Sequence, residues 1–149
     1  MSVPPIIRVR NAQRKLRVDM VSLERFTTRA FQRCCELPRA AAGRVRRLPE
    51  ISVVLVSDRR IAALHRRFME MAGPTDVLTF QHGEIVVSAE TARANARRFG
   101  STSEDEIRLY IVHGFLHLLG FDDVTAKEAS AMEAAQKRVL RMVRASNDN

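Results

Sequence analysis

The chain has 149 residues, of which 46% are hydrophobic and 28% charged, and 25 Lys and Arg against 17 Asp and Glu give it a formal net charge of +8. This is the composition of a globular protein with a real core, and it excludes a disordered polyelectrolyte. No run approaches the roughly 18 apolar residues of a membrane span, so we expect a single domain over 1–149 with a frayed tail at 145–149.

The basic surplus is concentrated in the first third of the chain. Residues 1–50 hold 12 Lys and Arg and 4 Asp and Glu, whereas residues 101–149 hold 6 and 8. A polyanionic partner such as nucleic acid explains this surplus. A GC-rich genome also explains it, because 22 of the 25 basic residues are arginine. The adjacent Cys34 and Cys35 are poorly placed to pair, and no secretion signal precedes them, so a reduced cytoplasm is expected.

The first half of the chain predicts two strands and a helix. Apolar and charged residues alternate over 6–11, which predicts a strand. Apolar residues then recur at helical spacing from Asp19, a plausible N-cap, to about Leu37. Residues 40–50 predict a basic connector, and the β-branched run 51–56 predicts a buried strand.

The middle of the chain predicts a helix followed by a hairpin. Asp58 can cap the helix, which should end near Gly73. Its expected inward residues are Ile61, Leu64 and Phe68. Two strand-like runs, 77–80 and 84–88, are separated by the short turn "QHG" and predict a β-hairpin.

Three helices are predicted in the last third, over 88–99, 103–120 and 125–143. Ser103 and Glu106 begin the second with the capping-box spacing, which the third repeats. The order β-α-β-α-β-β-α-α-α predicts an α/β (α+β) fold, with a four-stranded mixed sheet that contains one hairpin and is covered by about five helices. The second of the three helices should be central, because it is apolar nearly all round.

The central helix carries the segment "VHGFLHLLGFDD" at 112–123. His113 and His117 lie four residues apart, so both imidazoles can point at one centre. Gly120 lets the chain turn back, and Asp123 can then face the same centre. Three converging ligands with an open fourth position describe a catalytic zinc site. The alternative is a chance pair of core histidines that binds no metal.

The position after the first histidine limits the chemistry. Zinc proteases place a glutamate there as the general base, in the pattern H-E-x-x-H. Here the residue is Gly114, which cannot accept a proton, so protease activity is disfavoured. A hydrolase of small or peptide substrates would need an acid from elsewhere, for which Glu84 is the candidate.

The segment 113–123 resembles the signature H-G-x-L-H-L-x-G-[YF]-D-H of the YbeY family, bacterial rRNA maturation factors described as metal-dependent endoribonucleases. A second segment, "PTDVLTFQHGEIVVS" at 74–88, is similar to the family's "PTDVLSFP" followed by "GDI". The resemblance spans roughly 50–145. It implies a small α/β domain with a four-stranded mixed sheet and the metal-binding helix against it.

The resemblance also implies a function. The family acts as a single-strand-type endoribonuclease in 16S rRNA 3'-end maturation and ribosome quality control, with a metal-activated water attacking a phosphodiester. The implied cofactor is one Zn²⁺ per chain, with Mn²⁺ or another divalent ion as the alternative. The implied partners are rRNA and the small ribosomal subunit, with ribosomal proteins or a GTPase as further candidates, and no membrane. The alternative function is a ribosome-assembly or RNA-binding factor with a structural metal.

Two departures from the family pattern bear on the site. Asp123 replaces the third histidine, and a carboxylate there favours harder cations such as Mn²⁺. Asp122 matches the family's aspartate and is expected to bond the backbone or orient a ligand, with an exchange of roles between the two aspartates left open. Met69 stands where the family has an arginine, whose charge Arg66 or Arg67 could supply.

Asp76 and Glu84 flank the predicted hairpin and are the candidate proton acceptors. Glu84 replaces the family's aspartate and keeps the acid, whereas Asp76 can equally be a turn residue. His65 and His82 are expected on the surface, although His82 at the hairpin tip could enter the pocket. The chain has seven Phe, one Tyr and no Trp, so base-stacking surfaces are not prominent, which favours folded RNA over single strands.

Overall fold

A computed structural model describes residues 3–73 and 75–147. The strands are β1 (Ile6–Asn11), β2 (Glu50–Val56), β3 (Val77–Phe80) and β4 (Glu84–Ser88). The helices are α1 (Met20–Cys35), α2 (Ala42–Arg46), α3 (Asp58–Met69), α4 (Ala89–Phe99), α5 (Ser103–Leu118) and α6 (Ala126–Asn147). The predicted α/β fold is confirmed, with six helices in the described ranges where about five were expected.

The strands form one mixed sheet in the order β1-β2-β4-β3. The pairs β1–β2 and β2–β4 are parallel, and β3 pairs antiparallel with β4 to form the predicted hairpin. Both inner strands are buried along most of their length, as their continuous β-branched runs indicate. β3 therefore lies at an edge of the sheet.

Helices cover both faces of the sheet, and the main core lies on the α5 side. There α5 packs against α1, α4, α6 and the hairpin strands, as predicted for the most apolar helix. Ile107, Ile111 and Phe115 of α5 are almost completely buried. A smaller apolar cluster on the opposite face joins α3 to the sheet through Ile61, Leu78 and other side chains.

Gly114 marks the closest approach of α5 to the sheet. A Cβ at this position would lie 2.7 Å from Ile85 Cγ2 and 2.9 Å from its Cδ1. A side chain at this position would force Ile85 or the helix to shift, because Ile85 is fully buried in β4 and its χ1 is restricted. The glycine that replaces the protease glutamate is thus favoured by packing.

The predicted cap of α3 is wrong by one residue. Ser57 is the N-cap, and its hydroxyl accepts a hydrogen bond from the amide of Arg60. Asp58 instead accepts hydrogen bonds from the hydroxyls of Ser88 and Thr91, at 2.5 and 2.6 Å. It therefore ties the start of α3 to the start of α4.

α3 also ends earlier than predicted. Glu70 adopts a left-handed conformation with φ 54°, so the helix stops at Met69, well before Gly73. Phe68, which was expected to point inward, is 53% exposed. The core on this face of the sheet is small, and Leu64 and Phe80 pack against it, whereas Phe68 meets Phe80 edge to face outside it.

Three predicted N-caps are confirmed by side-chain hydrogen bonds to the backbone: Asp19, Ser88 and Thr125. α5 differs by one residue, because the hydroxyl of Thr102 accepts from the amide of Asp105 and the predicted cap Ser103 is the first helical residue. The starts of α3 and α5 each offer two adjacent capping residues, Ser57 and Asp58 in α3 and Thr102 and Ser103 in α5, so pattern alone could not choose between them.

The remaining differences concern a connector and the C-terminal segment. The connector over 40–50 contains the short helix α2. α6 continues beyond its predicted end at about residue 143 to Asn147, since no glycine or proline interrupts it. Residues 148–149 of the predicted tail lie outside the described residues.

The two cysteines behave as the sequence indicates. Both are free and buried on α1, and burial raises the pKa of each thiol above its ordinary value. Among the described helices, none has the length and apolarity needed to cross a membrane.

Candidate metal centre

Three side chains converge at the C-terminal end of α5, two from the helix itself and one from the segment that follows it. The Nε2 atoms of His113 and His117 lie 3.0 Å apart. Asp123 Oδ2 lies 3.8 Å from the first of them and 3.9 Å from the second. Two nitrogens bound to one tetrahedral zinc lie about 3.4 Å apart, so this group could hold a divalent ion.

The turn after α5 brings the carboxylate back to the histidines. Gly120 has φ +95°, a conformation that favours glycine. The amide of Phe121 then donates to the carbonyl of Leu116 at 2.9 Å, which closes the helix end. The chain therefore reverses within a few residues, and Asp123 faces both imidazoles.

The outer nitrogen of each imidazole has a partner that fixes its tautomer. His117 Nδ1 lies 3.1 Å from the carbonyl oxygen of Phe121, which can only accept a hydrogen bond. His113 Nδ1 lies 2.5 Å from Oε1 of Gln136. With a proton on each Nδ1, neither Nε2 carries a proton, and two nitrogen lone pairs lie in close proximity, with the atoms 3.0 Å apart. A cation between them removes that repulsion, so the residues present fit a metal ion.

The environment of His117 favours its neutral form. Burial lowers the pKa of this imidazole below its ordinary value, and the neighbouring His113 lowers it further, while Asp123 and Asp122 oppose the shift. Only a neutral imidazole can coordinate a metal. The shift therefore favours the protonation state of His117 that can bind a cation.

The structure gives the two aspartates different positions. Only Asp123 directs a carboxylate oxygen at the histidines. Asp122 Oδ1 instead accepts from the backbone amide of Asp123 at 2.8 Å. This is the backbone-bonding position expected of Asp122.

The histidines open into a cleft of about 580 Å³. Its lining residues are Met69, Met71, Thr75, Asp76, Val77, Leu78, Thr79, Gln81, His113, His117 and Asp123. Asp76 Oδ1 accepts from the amide of Val77 at 2.8 Å and from the hydroxyl of Thr75 at 3.4 Å. Of the two candidate proton acceptors, Asp76 therefore shares the cleft with the candidate ligands.

Glu84, the other candidate proton acceptor, is not among the residues that line that cleft. Successive side chains of a strand point to opposite faces of the sheet. Ile85 lies beneath α5, whereas Val86 belongs to the cluster beneath α3. Glu84 consequently points to the α3 face, away from the histidines.

The arginines proposed to compensate for Met69 also lie outside the cleft. Arg66 and Arg67 are exposed at the end of α3, and the Arg67 guanidinium lies 5.2 Å from the centre of the Phe68 ring. Met69 itself lines the cleft. Met69, which stands where the family resemblance led us to expect an arginine, therefore gives the cleft a neutral side chain.

The other two histidines lie apart from the centre, and His82 is on the surface as expected, whereas His65 is half-buried. His65 Nδ1 lies 3.0 Å from the carbonyl oxygen of Gly73. His82 is exposed and stacks on Phe80, with ring centres 5.8 Å apart. Neither side chain lines the cleft.

Two residues near the centre were missed by sequence reasoning. Gln136 on α6 bonds His113 across 23 positions of sequence. Arg44 on α2 donates to the backbone and side-chain oxygens of Gln81, at 3.2 and 2.7 Å, and to the carbonyl of Leu118 at 3.1 Å. Arg44 thereby ties the hairpin to the end of the histidine helix. Neither position carries a motif, so the sequence held no signal for them.

Gln136→Leu is expected to weaken metal binding by about 10- to 100-fold, because His113 loses the acceptor that orients its ring. Gln136→Glu, which keeps an acceptor oxygen, should bind within a few-fold of the wild type. Competition against a chelator of known affinity measures both, and Gln32→Leu on the exposed face of α1 is the matched control. Equal affinity in Gln136→Leu and Gln32→Leu would show that this bond does not support the site.

A family model described as endoribonuclease YbeY matches residues 8–144. The endoribonuclease YbeY of Bacteroides thetaiotaomicron is 35% identical over 109 residues, which cover 68% of this chain and 80% of the relative. The endoribonuclease YbeY of Acidothermus cellulolyticus is 34% identical over 123 residues, which cover 68% and 75%. The match extends well beyond the two motif segments.

A solved structure agrees with the fold. The solution structure of TM1509 from Thermotoga maritima superposes with a TM-score of 0.65 and 28% sequence identity, and the match covers 95% of this chain and 91% of that one. Together, the fold, the arrangement of the two histidines and the extent of these matches show that the chain belongs to the YbeY endoribonuclease family.

Proposed function

We propose that this chain is a metal-dependent endoribonuclease that cleaves single-stranded rRNA through a divalent cation held by His113, His117 and Asp123. The observation that carries the proposal is the pair of Nε2 atoms 3.0 Å apart, each with its Nδ1 bonded outward. Family membership supplies the reaction class, hydrolysis of a phosphodiester in RNA.

The cleft supplies the other parts of the reaction. A divalent cation bound there would supply a Lewis acid for a phosphoryl oxygen and lower the pKa of a water toward neutrality. Asp76, held by Val77 and Thr75 in the same cleft, is the proposed acceptor of a proton from the attacking water. The carboxylate of Asp123 keeps Mn²⁺ beside Zn²⁺ as a candidate ion.

The proposed biological substrate is the 3' end of 16S rRNA on the small ribosomal subunit, in the cytoplasm. The basic first third of the chain would hold the RNA backbone without reading its sequence. Ribosomal proteins or a GTPase complete the set of proposed partners. Support for this context comes from the motifs shared with the family.

The neutral Met69 favours one alternative, a ribosome-assembly or RNA-binding factor with a structural metal. No arginine is among the described residues that line the cleft, so charge development on a phosphate would have only the cation to oppose it. This alternative predicts RNA binding and metal binding without cleavage.

Removal of the metal separates these functions. Purified protein is expected to cut a single-stranded RNA with the sequence of the 16S 3' end, to lose this activity on dialysis against a chelator, and to regain it with Zn²⁺ or Mn²⁺. Gel analysis of end-labelled RNA measures it. Cleavage that survives chelation would contradict the proposal, and binding without cleavage under every metal would establish the assembly factor.

A further inference from the structure

Three of the few aromatic rings are gathered on the surface beside the cleft. The Phe68 and Phe80 rings meet edge to face with centres 5.4 Å apart. The Phe80 and His82 rings are stacked, 5.8 Å apart with an angle of 28° between their planes. We call Phe68, Phe80 and His82 the ring ladder. It runs from the end of α3 across the hairpin to its tip.

The ring ladder is accessible and lies across the edge strand β3 from the cleft. Phe68 is 53% exposed, His82 is exposed and Phe80 is half-buried. Met69, which follows Phe68, lines the cleft, as do Thr79 and Gln81 on either side of Phe80. Since side chains alternate along β3, the ladder and the cleft occupy the two faces of one sheet edge.

Positive charge accompanies the rings. The Arg67 guanidinium lies 5.2 Å from the centre of the Phe68 ring, and Arg66 is exposed beside it. Flat aromatic faces flanked by arginines match the two parts of a nucleotide, a base that stacks and a phosphate that pairs with a cation. A partner protein with an apolar surface would instead be opposed by the burial of these charges.

We propose that the ring ladder is a nucleobase-stacking subsite that holds an unpaired base of the RNA next to the phosphodiester in the cleft. The proposal rests on the proposed function for the identity of the ligand. It differs from the expectation, drawn from the scarcity of aromatic residues, that stacking surfaces are not prominent in this chain.

The chain offers a matched control for Phe68. Phe99 ends α4, is 66% exposed, and has the Arg98 guanidinium 5.3 Å from its ring centre. It repeats the arginine–phenylalanine pair of the ladder, but outside the residues that line the cleft. If RNA bound nonspecifically to any exposed arginine–phenylalanine pair, Phe68→Ala and Phe99→Ala would weaken RNA binding equally.

The test measures binding of a fluorescent single-stranded RNA by anisotropy, with chelator present to prevent cleavage. Phe68→Ala is expected to raise the dissociation constant about tenfold, and Phe99→Ala to leave it unchanged. Phe68→Leu should bind as weakly as Phe68→Ala, and Phe68→Trp should bind as tightly as the wild type. A set of RNAs, each lacking the base at one position, locates the stacked base. At one position the missing base should weaken binding to the wild type. The same RNA should bind Phe68→Ala no more weakly than the intact RNA does.

Equal binding by Phe68→Ala and Phe99→Ala, or full binding by Phe68→Leu, would overturn the stacking subsite. If Phe68→Ala then still cuts RNA with metal restored, the nuclease function is supported without the stacking subsite. The ring ladder would then be a candidate contact for a partner protein. If the wild type binds RNA through Phe68 and cuts none, the subsite stands and the nuclease function fails. Circular dichroism of each variant verifies the fold.

Discussion

Replacing His117 with alanine is expected to abolish stoichiometric metal binding and to reduce RNA cleavage by more than about 100-fold. Loss of an outer hydrogen-bond partner alone typically lowers metal affinity or activity by about 10- to 100-fold, and loss of a ligand removes a coordination bond outright. Only two candidate ligand atoms would remain for the cation, Nε2 of His113 and Oδ2 of Asp123, which lie 3.8 Å apart.

The adjacent aspartates provide the internal control for this centre. Asp123→Ala should lose metal as His117→Ala does, whereas Asp122→Ala should retain about one equivalent, because its carboxylate bonds the backbone of Asp123. Metal content by atomic emission and cleavage of end-labelled RNA are measured on the same preparations.

Each result of this comparison has a defined meaning. Metal retained in His117→Ala, or lost only in Asp122→Ala, would contradict the ligand set. Cleavage at the wild-type rate in both His117→Ala and Asp123→Ala would identify a contaminating nuclease as the source of activity.

Gly114→Ala is expected to destabilise the fold by about 1–3 kcal/mol, as typical overpacking does. The new Cβ would lie 2.7 Å from Ile85 Cγ2, so either the isoleucine must leave its rotamer or α5 must move off β4. Both histidines are on α5, and a shift of this helix relative to α6 would also disturb the bond between His113 and Gln136.

Gly43→Ala is the matched control, because a Cβ there meets no atom within 4 Å and position 43 is within α2. This substitution should be neutral or stabilise by about 0.4–1 kcal/mol, since alanine restricts the unfolded chain. Urea unfolding followed by circular dichroism gives both free energies. Equal stability of the two variants would show that α5 can retreat from the sheet without strain.

The same packing explains why restoring the protease pattern should fail. Gly114→Glu would put a general base in the sequence position that zinc proteases use, but its Cβ meets the same isoleucine methyl groups. We therefore expect loss of folded protein rather than gain of peptidase activity.

Local features of the fold were readable from the sequence because they depend on near neighbours. The β-branched run of β2 and the hairpin of β3 and β4 appear as predicted. So do the caps at Asp19 and Ser88. The errors at α3 and α5 are one-residue choices between adjacent capping groups, which nearly equal energies leave undecided. Exposure of Phe68 was missed because helical periodicity does not reveal how little sheet lies beneath α3.

The sequence by itself determined the ligand spacing, since His113 and His117 must share a helix face and Gly120 must permit the turn that returns Asp123. Only the tertiary structure decided which other side chains lie near these residues. It placed Asp76 in the cleft and Glu84 on the other face, brought Gln136 and Arg44 from distant helices, and aligned the three rings of the ladder. The reason is physical: helical and strand periods set directions along one element, whereas contacts between elements depend on how all of them pack together.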